Sequence, residues 1–472
     1  MQSLAAAVAA WPQEGAHDAK YFYERSDFHR VLDGSAYMIV GPKGSGKSSL
    51  TNYIERHCVE SAHLCHHLDA TALNFNRIAK LSDEPTELLW FWRQLLMMSA
   101  IAVLNRNRMK NAALAEQVPL TADIGEAASI IRSESFKINF GGMTLAPKST
   151  DMWEDRGYET KRLLAKIGQS LDQPTTVFIT VDKLDLGFLP GQSNEQRDAY
   201  LRVLSGLVNA AQTMTEEEKF GGMLRLQPVV LLRTDILANV PSGDRTKRAD
   251  MTVKLFWHPG EIQKLLAHRI SVDTGYPSQD FARNWNALLY KFNPTMEDRF
   301  DARIDKTPFA WLEFRTQWRP RDYIKYLQLS AQLALEKCSD QIFFDQFVLA
   351  EKSYAEYAKN HMTDEGSVHM RNLEHLFSKI KEMVSPRRED KIWFNWQEFA
   401  EAFGADEADT KQWLQELYKI GAIGQPAENP VQAHPNTRFR FIYKYQHETE
   451  LDSGMKQIIV HPALRRALIK MS

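Results

Sequence analysis

The stretch from Gly41 to Ser48 places glycines, a lysine and a hydroxyl residue at the spacing G-x-x-x-x-G-K-[ST]. Glycines let successive backbone N–H groups turn inward around phosphate oxygens. The lysine of this pattern serves the β- and γ-phosphates, and the hydroxyl serves Mg²⁺. We call this stretch the P-loop, and it predicts a site for ATP and Mg²⁺. The residues predicted to bind the nucleotide are Gly41, Pro42, Lys43, Gly44, Ser45, Gly46, Lys47, Ser48 and Ser49.

A carboxylate for Mg²⁺ is expected at the end of a neighbouring strand. Residues 175–181 are mostly β-branched and apolar and end at Asp182, which is typical of a Walker B strand. We therefore predict that Ser48 and Asp182 hold Mg²⁺. The next residue, usually a second acid that polarises the attacking water, is Lys183, and a charged lysine has no acceptor. Asp185 either takes over the placement of water or caps the helix that follows.

A further apolar strand is predicted at 228–235, and it has the polar residue Arg233 near its end. Arg233 is a candidate for a sensor of the γ-phosphate, because such strand ends lie at the same edge of a parallel sheet. The alternative is a structural ion pair with Asp235. The next strand is predicted at 253–257, and a helix with Pro and Glu in its first turn follows from Pro259.

The elements around the P-loop are those that its chemistry requires. The apolar run 37–40 predicts a buried strand before the P-loop, and an amphipathic helix follows it. A second strand is predicted at 62–68. About a hundred residues separate it from the Walker B strand, which is too long for a simple crossover. We therefore predict an inserted subdomain at about 71–173, with a long helix and a hairpin around the Gly-Gly pair in 135–145.

The chain length of 472 residues predicts several domains. We expect an α/β fold: a P-loop NTPase core with a parallel sheet over 1–258, a helical lid over 259–384, and a winged-helix-like α+β domain over 391–472. A charged, proline-containing linker at 385–390 precedes the last of these.

The C-terminal pattern of strand, two helices and hairpin raises the question of DNA binding. The second helix, 406–420, is the candidate for recognition. It carries four carboxylates against two lysines, which would repel phosphate. Nucleic acid is therefore not the favoured partner, and a domain that acts as a regulatory lever on the ATPase is preferred.

Composition narrows the class of protein. A net charge of −2 argues against an overall polyanion binder. Three cysteines are too few for a disulfide framework and fit a reducing, cytoplasmic location. No window reaches ~20 uninterrupted apolar residues, so no membrane span is predicted, and the apolar helix around 88–104 is interpreted as buried core. The histidines and cysteines of 57–67 match no zinc spacing.

These motifs resemble bacterial P-loop ATPases of the KAP and STAND type, in the AAA-related branch that has an additional strand between the P-loop and Walker B strands. A later run, Trp318 to Ile324, is similar to the sensor-2 region of these ATPases and of origin-recognition-type initiators. The resemblance covers roughly 21–335. It implies that Arg321 reaches the γ-phosphate from a helical lid. It also implies a regulated switch that acts in assemblies, often in signalling or phage defence.

The leading hypothesis is an ATP-binding, Mg²⁺-dependent ATPase that acts as a switch or assembly engine, as a homo-oligomer or with a partner protein. Asp185, Asp182, Arg233 and Arg321 are its predicted catalytic residues. The rival is a non-hydrolysing, nucleotide-gated scaffold or DNA-binding adaptor, which Lys183 favours. A small-molecule kinase is disfavoured, because no compact lid follows the core.

Overall fold

The computed structural model describes residues 3–12, 19–61, 63–73, 75–110, 151–187, 192–217, 219–241, 245–290, 307–367, 370, 373–384, 393–426, 441–445, 451–452 and 457–468. The hairpin predicted in 135–145 and the linker predicted at 385–390 lie outside these residues. The chain divides into two units. We call residues 15–256 the P-loop unit, and residues 1–14 with 257–472 the second unit. The domain boundaries at 258 and 391 stay predictions.

The elements below belong to the described residues. The helices are α1 Leu4–Ala9, α2 His29–Leu32, α3 Lys47–Glu60, α4 Phe75–Ala79, α5 Pro85–Lys110, α6 Asp151–Gln169, α7 Asn194–Glu217, α8 Thr234–Leu237, α9 Arg245–Asp250, α10 Pro259–Thr274, α11 Phe281–Leu288, α12 Pro308–Arg315, α13 Pro320–Glu336, α14 Phe344–Gly366, α15 Leu373–Val384, α16 Trp396–Phe403, α17 Glu407–Lys419 and α18 Pro462–Leu468. The strands are β1 Met38–Gly41, β2 Leu64–Asp69, β3 Thr175–Asp182, β4 Lys219–Phe220, β5 Leu224–Arg233, β6 Thr252–Lys254, β7 Trp393–Phe394, β8 Ile423–Pro426, β9 Phe441–Ile442 and β10 Ile458–Val460.

A parallel sheet forms the centre of the P-loop unit. Its described parallel strands run in the order β2-β3-β5-β1-β6, and β4 pairs antiparallel with β5. The strand β5 therefore separates the P-loop strand β1 from β3, the strand for which the Walker B role was predicted. This is the additional-strand arrangement that the resemblance implied, and the predicted α/β fold with a parallel sheet is confirmed.

The register of the sheet brings the polar strand ends to one edge. Gly41 at the end of β1 lies opposite Arg233 at the end of β5. Asp69 at the end of β2 lies opposite Asp182 at the end of β3. In parallel sheets, ligands bind beyond the carboxyl ends of the strands. The sheet therefore positions all four residues for one site.

The apolar helix α5 packs inside the P-loop unit. By length and composition its segment Pro85–Asn107 could cross a membrane, but 72% of its apolar window is buried within the protein. The indole N–H of Trp92 donates to the carbonyl of Val203 on α7 over 2.9 Å. The Arg93 guanidinium lies 5.0 Å from the centre of the Trp90 ring, so its charge is accommodated by an aromatic face.

The second unit contains helices α10 to α15 and a C-terminal region with a small antiparallel sheet. The described strands of that sheet run in the order β7-β10-β8-β9. Helices α16 and α17 lie between β7 and β8 in the chain. Side chains cap the N-termini of both helices. Asn395 and Glu398 form a capping box at the start of α16. At the start of α17, the side chain of Asp406 accepts a hydrogen bond from the backbone N–H of Asp409.

Candidate nucleotide-binding site

The P-loop connects the fully buried strand β1 to helix α3. Gly44 and Gly46 have φ values of 83° and 97°, in the left-handed region that glycine tolerates best. At Gly41 a Cβ would lie 2.5 Å from the Ser45 hydroxyl and 2.9 Å from Leu255 Cβ, so this position also requires glycine. Backbone conformation requires glycine at Gly44 and Gly46, and steric crowding requires it at Gly41. Both are expected for a loop whose N–H groups converge on one point.

Lys47, the first residue of α3, has its side chain folded over the P-loop. Its ammonium donates to the carbonyl oxygens of Gly41 and Pro42, each at 2.9 Å. Burial lowers the pKa of Lys47 to about 8, and the nearby carboxylate of Asp185 opposes this shift. Asp182 acts in the same direction as Asp185. A half-buried cation that is bonded to two loop carbonyls and has two carboxylates nearby is suited to receive phosphate charge.

Asp182 and Asp185 lie at the end of β3. Asp182 is buried, with 5% of its surface exposed, and its Oδ1 accepts from the backbone N–H of Lys183 at 2.7 Å. Asp185 belongs to a 3₁₀ turn, Leu184–Gly187, and is partly exposed. A carboxylate that keeps an oxygen available is a suitable Mg²⁺ ligand. The predicted roles of both residues stay predictions, but the fold does bring them to the P-loop.

Arg233 is buried among carboxylates at the same edge. Its Nε and Nη2 donate to the two oxygens of Asp235 at 3.0 and 2.6 Å, and its Nη1 lies 3.8 Å from Asp185 Oδ2. The ion pair with Asp235 that we kept as an alternative is therefore formed. Because the same guanidinium also faces Asp185, it can orient that carboxylate. Its predicted role as a sensor of the γ-phosphate stays a prediction.

Lys183 turns away from Asp182 and pairs with Asp69. The lysine backbone has φ of 61°, which is uncommon for a residue with a side chain. Its ammonium donates to Asp69 Oδ2 at 2.6 Å. Burial acts to raise the pKa of Asp69, but hydrogen bonds from Lys183 and Thr71 outweigh it and lower that pKa. Asp69 lies at this edge of the sheet but was not among the predicted site residues.

Arg321 lies in the second unit, in the first turn of α13. Its predicted contact with the γ-phosphate stays a prediction. Its neighbour Arg319 has a different role: this side chain is buried, and its Nη1 donates to Glu365 Oε2 at 2.7 Å. Of the two arginines in the sensor-2-like run, Arg319 is therefore bound within the second unit.

The histidines and cysteines of 57–67 do not form a metal cluster. Among the described residues, no group of three or more His, Cys, Asp or Glu side chains could hold a metal ion. His63 Nδ1 accepts from the backbone N–H of Thr176 at 3.2 Å, and His67 Nδ1 lies 3.0 Å from the Thr180 hydroxyl. The imidazoles therefore serve the packing of β2 against β3.

The geometry fits a nucleotide and Mg²⁺. The cradle at Gly41 is too narrow for a side chain, and Lys47 and Ser48 open helix α3, whose N-terminus favours anions. Asp182, at the carboxyl end of β3, supplies a hard oxygen ligand at the same edge of the sheet. Phosphate and Mg²⁺ are the chemical groups that this set of donors and acceptors suits best.

No protein-family model and no curated protein matches the chain. Solved structures with similar folds share little sequence with it. The Aeropyrum pernix ORC1 protein in complex with DNA is 11% identical, with 96% of this chain and 94% of that chain covered and a TM-score of 0.38. The Aeropyrum pernix ORC2 protein has 11% identity, coverage of 96% and 91%, and a TM-score of 0.40. The Thermotoga maritima RuvB Holliday junction branch migration motor has 11% identity, coverage of 94% and 91%, and a TM-score of 0.32. With TM-scores this low, we base the function on the site itself.

Proposed function

We propose that the protein binds ATP with Mg²⁺ at the P-loop and hydrolyses it slowly, as a regulatory switch or assembly engine. The observation that carries the proposal is the convergence of Lys47, Asp182, Asp185 and Arg233 at one edge of the parallel sheet. A P-loop alone indicates phosphate binding. A P-loop with a buried strand-end carboxylate and a second carboxylate beside an arginine supports hydrolysis.

Each residue has a role that its surroundings support. Lys47 neutralises phosphate charge, and Ser48 and Asp182 hold Mg²⁺, which when bound screens the charge of the phosphates. Asp185 positions the attacking water and is itself oriented by Arg233. Lys183 cannot act as the base, and its pairing with Asp69 keeps its ammonium engaged. Slow turnover is the expected consequence of a site with Asp185 as its water-positioning acid.

We further propose that the second unit responds to the nucleotide. Arg321, on α13, reports the γ-phosphate, and the C-terminal region is a winged-helix-like lever rather than a DNA reader. Helix α17 supports the lever, because Lys411 and Lys419 already pair with Glu407 and Glu416 at 2.6 and 2.7 Å. Lysines that are neutralised within their own helix contribute little to phosphate binding.

The resemblance to KAP- and STAND-type ATPases supplies the finer part of the proposal. It suggests a protein that acts as a homo-oligomer or with a partner protein, in signalling or phage defence, and the small number of cysteines suggests a cytoplasmic location. The alternative is a nucleotide-gated scaffold or DNA-binding adaptor that does not hydrolyse ATP. The observation that favours this alternative is Lys183 in the place of the second Walker B acid.

Single-turnover hydrolysis of ATP with Mg²⁺ distinguishes the two. We expect slow hydrolysis by the parent protein, its loss in Asp182→Ala because a Mg²⁺ ligand is removed, and a fall of about 10²-fold in Asp185→Asn. A parent that binds ATP without turnover, together with activity in Lys183→Glu, would establish the scaffold instead.

Binding of ATP tests the P-loop separately from hydrolysis. In Lys47→Ala we expect loss of ATP affinity, because the charge that neutralises the phosphates is removed. Lys80→Ala is the matched control, since Lys80 is exposed at the end of α4. Retention of full affinity in Lys47→Ala would refute the phosphate-binding role of the P-loop.

Gel shifts with duplex DNA at physiological salt test the lever. We expect weak, salt-sensitive binding that reversing the charge of α17 lysines does not change. Tight binding that is lost in Lys411→Glu would establish the DNA adaptor.

A further inference from the structure

Two cysteines of the P-loop unit lie side by side between helix α3 and strand β2. Cys58 is in the last turn of α3 and only 5% exposed, within an apolar cluster that includes Tyr53 and Ile54. Cys65 is the second residue of β2 and packs against the same cluster. Both thiols are free. The turn between α3 and β2 therefore brings two residues seven positions apart to one spot in the core.

Each thiol shifts the pKa of the other. The interaction with Cys65 raises the pKa of Cys58, and burial raises it further. The interaction with Cys58 lowers the pKa of Cys65, although burial opposes the shift. The directions of the two shifts make Cys65 the thiol that ionises first. A thiolate is the form of cysteine that reacts with oxidants.

The two thiols also differ in access. The strand β2 is at the edge of the central sheet, and Cys65 is partly exposed whereas Cys58 is buried. An oxidant therefore meets Cys65 before Cys58. A partly exposed thiolate with a second thiol in contact behind it is the arrangement of a reactive cysteine with a resolving partner.

We propose that Cys58 and Cys65 are a peroxide-sensitive dithiol that closes to an intramolecular disulfide. The Cys65 thiolate attacks one oxygen of hydrogen peroxide, the S–O bond forms, the O–O bond breaks, and hydroxide leaves. Cys58 then loses its proton and attacks the sulfur of the sulfenic acid, and the S–O bond breaks as the S–S bond forms. Overall, two thiols and one peroxide give one disulfide and two waters.

A disulfide between the two cysteines would close a loop of eight residues, 58–65. Cys58 is two residues before the end of α3, where helix ends adjust at low cost. The residues between the two cysteines are the last two of α3, the connection 61–63, and Leu64 at the start of β2. Transient disulfides of this kind are compatible with a reducing compartment. The proposal does not depend on the nucleotide site.

The test is made in a Cys338→Asn background. Cys338 is exposed and has φ of 55°, a conformation that asparagine tolerates well. The protein is treated with one equivalent of hydrogen peroxide, alkylated in acid-quenched denaturant and digested with trypsin. Because Arg56 and Arg77 are the flanking cleavage sites, both cysteines lie in one peptide, 57–77. We expect this peptide to lose two hydrogens and take up no alkyl group until dithiothreitol is added.

Single variants assign the two roles. In Cys58→Ser we expect Cys65 to stop at the sulfenic acid, which dimedone traps. In Cys65→Ser we expect Cys58 to react on the order of tenfold more slowly than the parent pair, because it is buried. Two fully alkylated cysteines after peroxide, or over-oxidation of Cys65 without loss of two hydrogens, would overturn the proposal. The peptide map of the parent gives this answer even if a variant does not fold.

Discussion

At the scale of single residues, Lys47 makes nucleotide binding depend on pH. Its pKa of about 8 reflects burial, and phosphate charge would raise that pKa by favouring the ammonium. Binding of ATP near pH 8 therefore takes up protons, and ATP affinity falls as the pH rises through about 8. Titration calorimetry in buffers of different ionisation enthalpy measures the uptake directly. It should be small near pH 6, where Lys47 is already charged, and should increase as the pH rises to 8 and above.

The control for this prediction is Lys47→Arg. Arginine stays charged at every accessible pH, so the variant should show no linked uptake of protons while it still binds ATP. Equal uptake in parent and variant would assign the proton to another group, such as the γ-phosphate itself.

The pairing of Lys183 with Asp69 gives a second prediction at this scale. In Asp69→Asn the ammonium of Lys183 loses its charged partner and becomes available to Asp182, where it competes with Mg²⁺. We expect turnover to fall about tenfold at low Mg²⁺ and to recover at high Mg²⁺. Because the pair is partly exposed, stability should change by less than ~1 kcal/mol.

A double variant tests the cause of this effect. In Lys183→Ala with Asp69→Asn the competing cation is absent, so the dependence on Mg²⁺ should return to that of Lys183→Ala alone. Additive effects of the two substitutions would show that Asp69 acts independently of Lys183.

Most residues of the candidate site could be singled out from the sequence, because they are contiguous or follow apolar runs. The P-loop is one stretch, and Asp182 ends a β-branched strand. Asp69 could not be assigned, because its partner Lys183 is 114 positions away. Only the register of β2 against β3 brings the two together. Such a pair depends on the sheet as a whole, and no local pattern indicates it.

At the scale of elements, strand β5 differs from the prediction in its start. We expected the strand to begin at Pro228, but it begins at Leu224, so that proline lies inside a strand with neighbours on both sides. Proline gives no N–H to a ladder, which argues against a central strand. The buried side chain of Gln227 supplies an additional bond: its Nε2 donates to the carbonyl of Ala36, just before β1, at 3.1 Å.

Because of this hydrogen bond, we expect Gln227 to contribute to the stability of the sheet. In Gln227→Leu the Ala36 carbonyl loses a donor in the protein interior, so the free energy of unfolding should fall by about 1–3 kcal/mol. Gln169→Leu is the matched control, since Gln169 is exposed on α6 and should change stability by less than ~0.5 kcal/mol. Urea unfolding of both variants measures the difference. Equal effects would remove the special role of Gln227.

At the scale of the whole molecule, buried polar groups connect the elements of the second unit to one another. Arg319 and Glu365 pair across α13 and α14 at 2.7 Å. The side chain of Gln317 donates to the carbonyl of Ile420, after α17, at 2.8 Å. The backbone N–H of Gln317 donates to Asp322. Buried polar groups that satisfy one another specify one arrangement of the helices. The C-terminal region is therefore held to the helices before it by more than apolar packing, as the proposed lever would require.

Asp322 makes the stability of this arrangement depend on pH. Burial raises its pKa to about 6, although Arg319 opposes the shift, so the folded carboxyl binds a proton more tightly than the unfolded one. Between about pH 4 and pH 6 the folded state therefore holds more protons, and its contribution to stability falls as the pH rises. Two pKa units correspond to at most about 3 kcal/mol. In Asp322→Asn, which keeps an acceptor for Gln317 and cannot titrate, this loss should be absent. The difference in unfolding free energy between parent and variant, measured across the window, isolates Asp322 from other groups. Parallel pH profiles would mean that Arg319 keeps the carboxylate charged throughout.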